Sequence, residues 1–230
     1  MNYFAHAIAF LDRPYFAAGT AVPDWLMVLD RRLRLRKQHA QAYTSSPGQP
    51  TKEVASGILQ HLNDDILFHR TKAFLETSSE LTAIIRDSLD KESGRRPAFL
   101  GHVLTELLLD AALIAESPAL LTEYYRTLAS LNSEELEHIV NQIAPKPAVN
   151  LAFFVDRFRK EQVLWDYLHN STLCKRLNQV LHRARFKELP GNFADMLPAA
   201  RILVTGRKFE LLQITNLPSE HAEEAEGSHT

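Results

Sequence analysis

Two sets of polar residues at four-residue spacing constrain the fold of this chain more than any other feature. One set has the pattern H-x3-D-x3-H, the other has H-x3-E-x3-D, and each lies inside an apolar pattern of helical period. Because four residues turn a helix by a full turn plus only about 40°, each set lies on one face of its helix. That face also carries the hydrophobic stripe, with Ile58 beside the first set and Leu113 beside the second. The six polar residues are His61, Asp65, His69, His102, Glu106 and Asp110.

Carboxylates and imidazoles on a face that should be buried need a partner. A buried acid is either protonated, paired with Lys or Arg, or bound to a metal. Neither helix centre has a Lys or Arg at a matching spacing. His and carboxylate ligands without Cys favour Zn²⁺, Mn²⁺ or Fe²⁺, and a set of this size exceeds what one ion needs, so two or more divalent ions are expected. The alternative is a buried hydrogen-bonded network or a partner-binding groove without metal.

Two further residues near the N-terminus are candidate ligands on weaker grounds. His6 lies in an apolar segment, where a core histidine is an equally good interpretation. Asp24 follows Pro23 and could simply cap the helix that begins there.

The pattern of the whole chain predicts an all-α fold. Nearly every periodic segment has a helical period and strand-type alternation is scarce. We expect a single-domain helical bundle over residues 1–217, with the metal centre between core helices, and a disordered polar tail over residues 218–230. The predicted helices include a short one from Pro14 to about Gly19, one from Pro23 through Arg31–Lys37, and others at 51–74, 79–89, 98–116, 122–130, 133–143, 150–169, 172–184 and 192–211.

Composition narrows the possible location and partners. The formal net charge of −2 gives no indication of nucleic-acid binding. Cys174 is the only cysteine, which excludes an internal disulfide and fits a reducing compartment. The first residues do not form a signal peptide, and no apolar run approaches the roughly 20 residues of a membrane span. We therefore expect a cytoplasmic protein.

Three segments resemble the bacterial acyl-carrier-protein phosphodiesterase family. The start of the chain, from Asn2 to His6 and beyond, resembles the family opening N-F-L-A-H-L-x-L-A. The segment Gly19–Trp25 is similar to its G-N-x-x-x-D-F block, and Gly57–His69 to its G-I-x-x-H-x-x-I-D-x-x-x-D helix, although this chain has Ile8, Thr20 and His69 where the family has His, Asn and Asp. The resemblance implies an all-helical relative of the HD-type phosphohydrolases that removes 4′-phosphopantetheine from holo acyl carrier protein with a divalent metal, typically Mn²⁺. It makes His6, Asp24, His61 and Asp65 candidate metal ligands.

The order of the ligands also resembles a second class of enzymes. An early His and Asp, then His61-x3-Asp65 and His102-x3-Glu106, is similar to the order in zinc-dependent phospholipase C and the P1-type nucleases. Those enzymes are all-α zinc phosphodiesterases, so both resemblances imply hydrolysis of a phosphodiester substrate.

Together these resemblances predict a metal-dependent phosphodiesterase, in which a metal-activated water attacks the phosphodiester. Asp65 or Asp24 would bridge two ions, and Asp110 would be a ligand, an orienting residue or a general base. The predicted catalytic residues are Asp65 and Asp110, and the predicted metal ligands are His6, Asp24, His61, Asp65, His69, His102, Glu106 and Asp110.

Basic residues are candidates for binding the substrate or a partner. Arg157, Arg159 and Lys160 could clamp a phosphate, although a solvated charged helix face is the favoured interpretation. The basic run Arg31–Lys37 could attract an acidic partner such as acyl carrier protein, or a phosphate-rich ligand, although the solvent side of a helix is slightly favoured. A non-catalytic helical protein that uses a metal only for structure remains an alternative.

Overall fold

The computed structural model describes residues 1–89 and 96–213, and within them the chain is helical with no β-strand. This confirms the predicted all-α, single-domain fold. Short 3₁₀ segments cover Ile8–Phe10, Val163–Leu168 and Gly191–Met196. The α-helices are α1 (Tyr3–Ala7), α2 (Pro14–Leu29), α3 (Lys37–Gln41), α4 (Gln49–Phe68), α5 (Lys72–Asp87), α6 (Arg96–Glu116), α7 (Pro118–Ala129), α8 (Ser133–Ile143), α9 (Leu151–Glu161), α10 (Asn170–Ala184), α11 (Leu197–Gly206) and α12 (Lys208–Leu212).

Helices α2 and α4 form the most extensive helix pair, and two glycines allow their close approach. A Cβ at Gly57 would lie 2.2 Å from the Phe16 carbonyl oxygen, and a Cβ at Gly19 would lie 2.5 Å from the Val54 carbonyl oxygen. Because only glycine tolerates this contact, the two backbones touch here. The contact lies in the first half of each helix and sets the position of the turns that follow it in α2 and α4.

Helix α6 is the central helix of the core. It packs against α5, α11, the 3₁₀ segment Val163–Leu168 and α1, and most of its side chains are buried. Within the described ranges, α6 is the one helix long and apolar enough to cross a membrane by length and composition. A mostly buried core helix passes the same test, so this is weak support for a span, although the sequence pattern predicted no segment of that length.

Helix α2 differs from the prediction because Pro23 lies inside it. The predicted helices that end near Gly19 and begin at Pro23 are one continuous helix, so Asp24 does not cap a helix start. The helix ends at Leu29, and Arg31–Arg36 is non-helical, with α3 beginning at Lys37. The prediction that the basic run forms a helix is therefore wrong.

The predicted helix 51–74 is divided in two. Helix α4 begins at Gln49, two residues before the predicted start, and ends at Phe68. A turn follows, and the Thr71 hydroxyl accepts a hydrogen bond from the Phe74 amide (3.2 Å), which caps α5. His69 is thus the C-cap of α4, and the predicted helix at 79–89 begins instead at Lys72.

The C-terminal half also contains more breaks than the pattern indicated. The predicted helix 150–169 ends at Glu161, where Gln162 has a φ of 46°, and the segment 192–211 divides into a 3₁₀ turn, α11 and α12. Helix α8 spans Ser133–Ile143 as predicted, but Asn132 caps it. The predicted tail 218–230 lies outside the described residues.

Candidate metal centre

The two polar sets of α4 and α6 face each other across the core. His69 and Glu106 join them, because the His69 Nε2 and Glu106 Oε1 atoms lie 2.8 Å apart. Helix α1 adds His6, and the α2–α4 contact brings Asp24 to the same region. Two groups of possible ligands result, each with donor atoms within 4.8 Å of one another: His6, His61 and Asp65 form the Asp65 group, and His69, His102 and Glu106 form the Glu106 group.

The Asp65 carboxylate is the centre of the first group. Its Oδ1 lies 3.3 Å from His6 Nε2, and its Oδ2 lies 3.5 Å from His61 Nε2. Asp24 stands at the edge of the group, with its Oδ1 4.0 Å from His61 Nε2. Both imidazoles are buried, whereas the two carboxylates are partly exposed.

Hydrogen bonds fix the orientation of the two buried imidazoles. His61 Nδ1 lies 2.8 Å from the Thr20 carbonyl oxygen, which can only accept, so Nδ1 carries a proton and Nε2 is the nitrogen that faces the carboxylates. His6 Nδ1 lies 3.2 Å from Asp64 Oδ2, and Asp64 also accepts from the Gln60 amide at 2.7 Å. Asp64 is a functional candidate that the four-residue spacing did not reveal, because it lies outside the H-x3-D-x3-H set.

One atom of this group lacks a hydrogen bond. His6 is 1% exposed, and its Nε2 has no hydrogen-bond partner among the described residues although it faces Asp65. A buried nitrogen left in this state costs free energy unless something occupies its lone pair. Metal-ligating histidines adopt this arrangement, in which a partner such as Asp64 orients the ring and the other ring nitrogen points into the site.

The Glu106 group is closer to solvent. His102 Nε2 lies 3.4 Å from Glu106 Oε1, and the rings of His69 and His102 are 4.6 Å apart. Phe74 packs edge-on against both rings, at 4.8 and 5.0 Å. The His102 side chain is 44% exposed and that of His69 is 30% exposed, so this part of the predicted site is not fully buried.

The amino group of Met1 lies between the two groups. It donates to Asp65 Oδ1 at 2.8 Å and approaches Glu106 Oε1 at 3.4 Å, and it is buried. The sequence prediction did not include this cation, because it considered Lys and Arg side chains only.

The charges of the site stabilise two ionised carboxylates. Burial alone would raise the pKa of the Asp65 carboxyl, but the contacts with His6 and His61 and the Met1 ammonium outweigh it, so this pKa lies well below its usual range. Burial is likewise outweighed at Glu106, by the ammonium, His102 and His69, and its pKa is also strongly lowered. Both acids are therefore ionised at neutral pH, as metal ligands must be.

Asp24 and His61 behave differently. Burial raises the pKa of the Asp24 carboxyl, and the nearby imidazoles offset this only in part. Burial alone would lower the pKa of His61, but the charge of Asp24 and the contact with Asp65 outweigh it and raise the pKa. A cation bound here would compete with protonation of both groups.

Asp110 does not join either group. Its two carboxylate oxygens accept hydrogen bonds from the backbone amides of Phe4 (3.0 Å) and Ala5 (2.8 Å). Burial raises its pKa to about 7, although these two amide donors oppose the shift. One turn beyond Glu106, α6 faces the start of α1 and not α4, so Asp110 satisfies the free amides of α1 and thereby positions Met1 and His6.

The residue types and their arrangement fit a divalent metal. Three N and O donors converge in each group, no thiolate is present, and His61 and His6 have their remote nitrogens held by Thr20 and Asp64. Catalytic zinc sites commonly use three protein ligands of this kind. Asp24 would add a ligand to the Asp65 group. Asp110 would bind no ion and would instead position α1 through its backbone amides.

The basic residues predicted for substrate binding point in different directions. Arg157 lines a cavity next to the site and pairs with Glu161. Arg159 donates to the carbonyl oxygens of Leu128 (2.9 Å) and Leu131 (3.1 Å) at the end of α7, so it stabilises helix packing. Lys160 is exposed on α9.

No protein-family model, curated protein sequence or solved structure matches this chain. The resemblances stated from the sequence motifs therefore stay predictions, and the function has to be inferred from the geometry of the two groups.

Proposed function

We propose that the protein is a metal-dependent phosphodiester hydrolase. The observation that supports this most is the pair of three-donor groups, each with partly exposed members, which are linked through the contacts of the Met1 amino group with Asp65 and Glu106. Divalent ions held there would supply positive charge for the phosphoryl oxygens and lower the pKa of a bound water. The resemblance to the acyl-carrier-protein phosphodiesterase family favours this chemistry over other metal-assisted hydrolyses.

Each ligand group would hold one ion. His6 and His61 present oriented lone pairs and Asp65 presents two oxygens, so these three would hold one ion and Asp65 would reach toward the second. The donors of the Glu106 group would hold the second ion near solvent. Asp24, partly exposed beside His61, is placed to accept a proton from a water or to bind the ion.

The two resemblances favour different substrates. The family resemblance favours holo acyl carrier protein with Mn²⁺, and the ligand order favours a zinc-dependent phospholipase C- or nuclease-like activity. Mass spectrometry of holo acyl carrier protein after incubation, in parallel with a lipid and a nucleotide diester, separates these substrates. Loss of 4′-phosphopantetheine is the result expected for the first.

A non-catalytic polar network is the second candidate, and a specific contact favours it. The Met1 ammonium already forms ion pairs with Asp65 and Glu106, so protein groups offset part of the negative charge of the site. In that case metal would be unnecessary for folding and the protein would have no hydrolase activity.

Metal analysis combined with activity measurement tests the proposal. Purified protein, His61→Ala and Glu106→Ala are compared for bound transition metal and for hydrolysis of bis(p-nitrophenyl) phosphate with added Mn²⁺ or Zn²⁺. Because each variant lacks one ligand of one group, we expect it to bind less transition metal and its activity to fall by a factor of about 100 or more. A wild-type protein that binds no metal and hydrolyses nothing would contradict the proposal and support the polar network.

A further inference from the structure

A basic groove lies beside the proposed site and takes no part in the role described above. It has a volume of about 640 Å³ and is formed where α2 ends and where α10 ends. Its lining contains five arginines and one acid: Arg31, Arg32, Arg34, Arg183, Arg185 and Asp30, together with Val28 and Leu29. The whole chain has a net charge of −2, so this local excess of cations is not a consequence of composition.

Most of the arginines in the groove have no acidic partner among the described residues. Arg32 pairs with Asp30 at 3.1 Å, and Arg31 donates to the Arg183 carbonyl oxygen at 2.7 Å. Arg34, Arg183 and Arg185 are exposed, and none of their guanidinium groups forms an ion pair with an acid in the described part of the chain. Guanidinium groups brought together in this way repel one another unless an anion binds between them.

The backbone of Arg185 adds a second observation. Arg185 follows the last residue of α10 and has a φ of 61°. This left-handed position favours Gly or Asn, and a residue with a long side chain is unfavourable there. The chain therefore carries an arginine at a position where backbone stability alone would favour glycine.

A smaller cavity adjoins the groove. It has a volume of about 320 Å³ and shares Val28 and Arg183 with the groove. Val28 lies one helical turn beyond Asp24 on α2, a rise of about 6 Å, and Leu107 directly follows Glu106 on α6. The same helices thus line the cavity and carry the ligand groups.

The cavity has an apolar wall and a cationic end. Tyr3 and Phe158 pack against each other at 5.2 Å and form part of its wall. Two of its arginines are neutralised: Arg157 pairs with Glu161 and Arg176 pairs with Asp166. The Arg183 guanidinium at the junction with the groove is the cavity's arginine without an acidic partner among the described residues.

We propose that the basic groove binds a second phosphate group of the substrate, so that the substrate is a phosphodiester carrying a further phosphate across a short organic spacer. This inference rests on the proposed function for its choice of substrate. The planar guanidinium forks match phosphate oxygens in a bidentate way, and the apolar cavity would hold the spacer between the two phosphates. The reacting diester would lie at the ligand groups and the second phosphate at Arg183 and Arg185.

Binding of inorganic pyrophosphate to the metal-free protein tests the groove without relying on activity. Calorimetry in chelator at low salt compares the wild type with Arg183→Gln and Arg185→Gly. We expect each variant to bind pyrophosphate about tenfold more weakly, because each loses a charge-assisted contact. Arg185→Gly is a favourable substitution for the backbone, so its weaker binding cannot be attributed to unfolding.

A matched control and a competing anion sharpen this test. Arg86→Gln removes one exposed arginine from α5, which contributes nothing to the groove, and should leave pyrophosphate binding unchanged. Equal weakening in Arg86→Gln and the groove variants would overturn the inference, as would absence of binding by the wild type. Tighter binding of a triglutamate peptide than of pyrophosphate would also overturn it, since the groove would then select carboxylates.

A pair of substrates that differ by one phosphate tests the link to catalysis. Thymidine 5′-(p-nitrophenyl phosphate) and its 3′-phosphorylated form are compared by kcat/KM in the metal-loaded protein. We expect the 3′-phosphate to raise kcat/KM about tenfold in the wild type and in Arg86→Gln, and this ratio to fall to about one in Arg183→Gln. Equal kcat/KM for both substrates in an active wild type would overturn the second-phosphate assignment. Inactivity on both would contradict the proposed hydrolase activity and the substrate assignment with it, while pyrophosphate binding would still judge the groove as an anion site.

Discussion

Single residues determine which atoms of the site are available to a ligand. The carbonyl of Thr20 fixes one nitrogen of His61, and Asp64 fixes one nitrogen of His6, so both rings present Nε2 to Asp65. Metal-binding histidines depend on such partners for their orientation and basicity. The availability of these donor atoms is therefore decided by residues that would not themselves bind the ion.

This dependence predicts that Asp64→Asn weakens metal binding although no ligand is removed. The amide is a poorer acceptor for the His6 Nδ1 proton, and the expected loss of metal affinity is about 10- to 100-fold. Competition with a chromogenic chelator measures it. Asn63→Ala, an exposed neighbour on α4, is the control and should leave the affinity unchanged. Equal affinities of Asp64→Asn and wild type would show that Asp64 does not orient His6.

Asp110 predicts a pH dependence of stability that can be isolated by one substitution. Burial raises its pKa to about 7 in the folded protein, against about 3.9 in an unfolded chain. Between these values the folded state holds a proton that the unfolded state has lost. The free energy of unfolding should therefore fall as the pH rises, by up to about 1.4 kcal/mol per pH unit from this group.

Asp110→Asn removes this titration, so the wild type should lose stability relative to the variant between about pH 5 and about pH 7. Urea unfolding in chelator at both pH values measures the difference. The lowered pKa values of Asp65 and Glu106 act elsewhere: their stabilisation is lost only as the pH falls below about 4. The raised pKa of His61 contributes equally to both proteins and cancels. A stability difference that stays constant with pH would contradict the protonation assigned to Asp110.

At the scale of helices, the α2–α4 contact decides whether the Asp65 group can form. The touching backbones at Gly19 and Gly57 bring Thr20 and Asp24 to His61, one turn of α4 further on. A side chain at either glycine would separate the helices and move the hydrogen-bond partner of His61.

Gly57→Ala is expected to destabilise the fold and the site together. Its Cβ would lie 2.2 Å from the Phe16 carbonyl oxygen, so one helix must shift, at a cost of about 1–3 kcal/mol in the free energy of unfolding. Denaturant unfolding and metal affinity are measured on the same preparation. Gly206→Ala is the matched control, because nothing lies within 4 Å of its Cβ position, and it should be neutral or slightly stabilising. A Gly57→Ala protein as stable as wild type would show that the contact is not close-packed in solution.

Helix boundaries show where sequence patterns lose accuracy. Pro23 was interpreted as a helix start, but it lies inside α2. The backbone hydrogen bond that proline cannot donate is tolerated there, in the middle of the core. The turn at His69–Thr71 was missed because the apolar periodicity continues through it into Phe74. Both errors concern local breaks, whereas the helical character of the segments on either side of each break was predicted correctly.

At the scale of the whole molecule, charge is unevenly distributed. The acids of the ligand groups face inward and are balanced by imidazoles and the Met1 ammonium, while unpaired arginines collect in the basic groove. The net charge of −2 conceals this separation, and the sequence reading of the basic run Arg31–Lys37 could not include Arg183 and Arg185 from the end of α10.

The sequence by itself determined the all-α class and the face of each helix on which the polar residues lie, because helical periodicity is a local property. It identified six of the residues that the structure places in the two ligand groups: His6, His61, Asp65, His69, His102 and Glu106. Only the tertiary structure decided how these residues divide into two groups, why Asp110 serves α1 instead, and that Asp64 and the Met1 amino group belong to the site. Which helices face each other depends on long-range packing, here on two glycines that let α2 and α4 touch, and no local pattern carries that information.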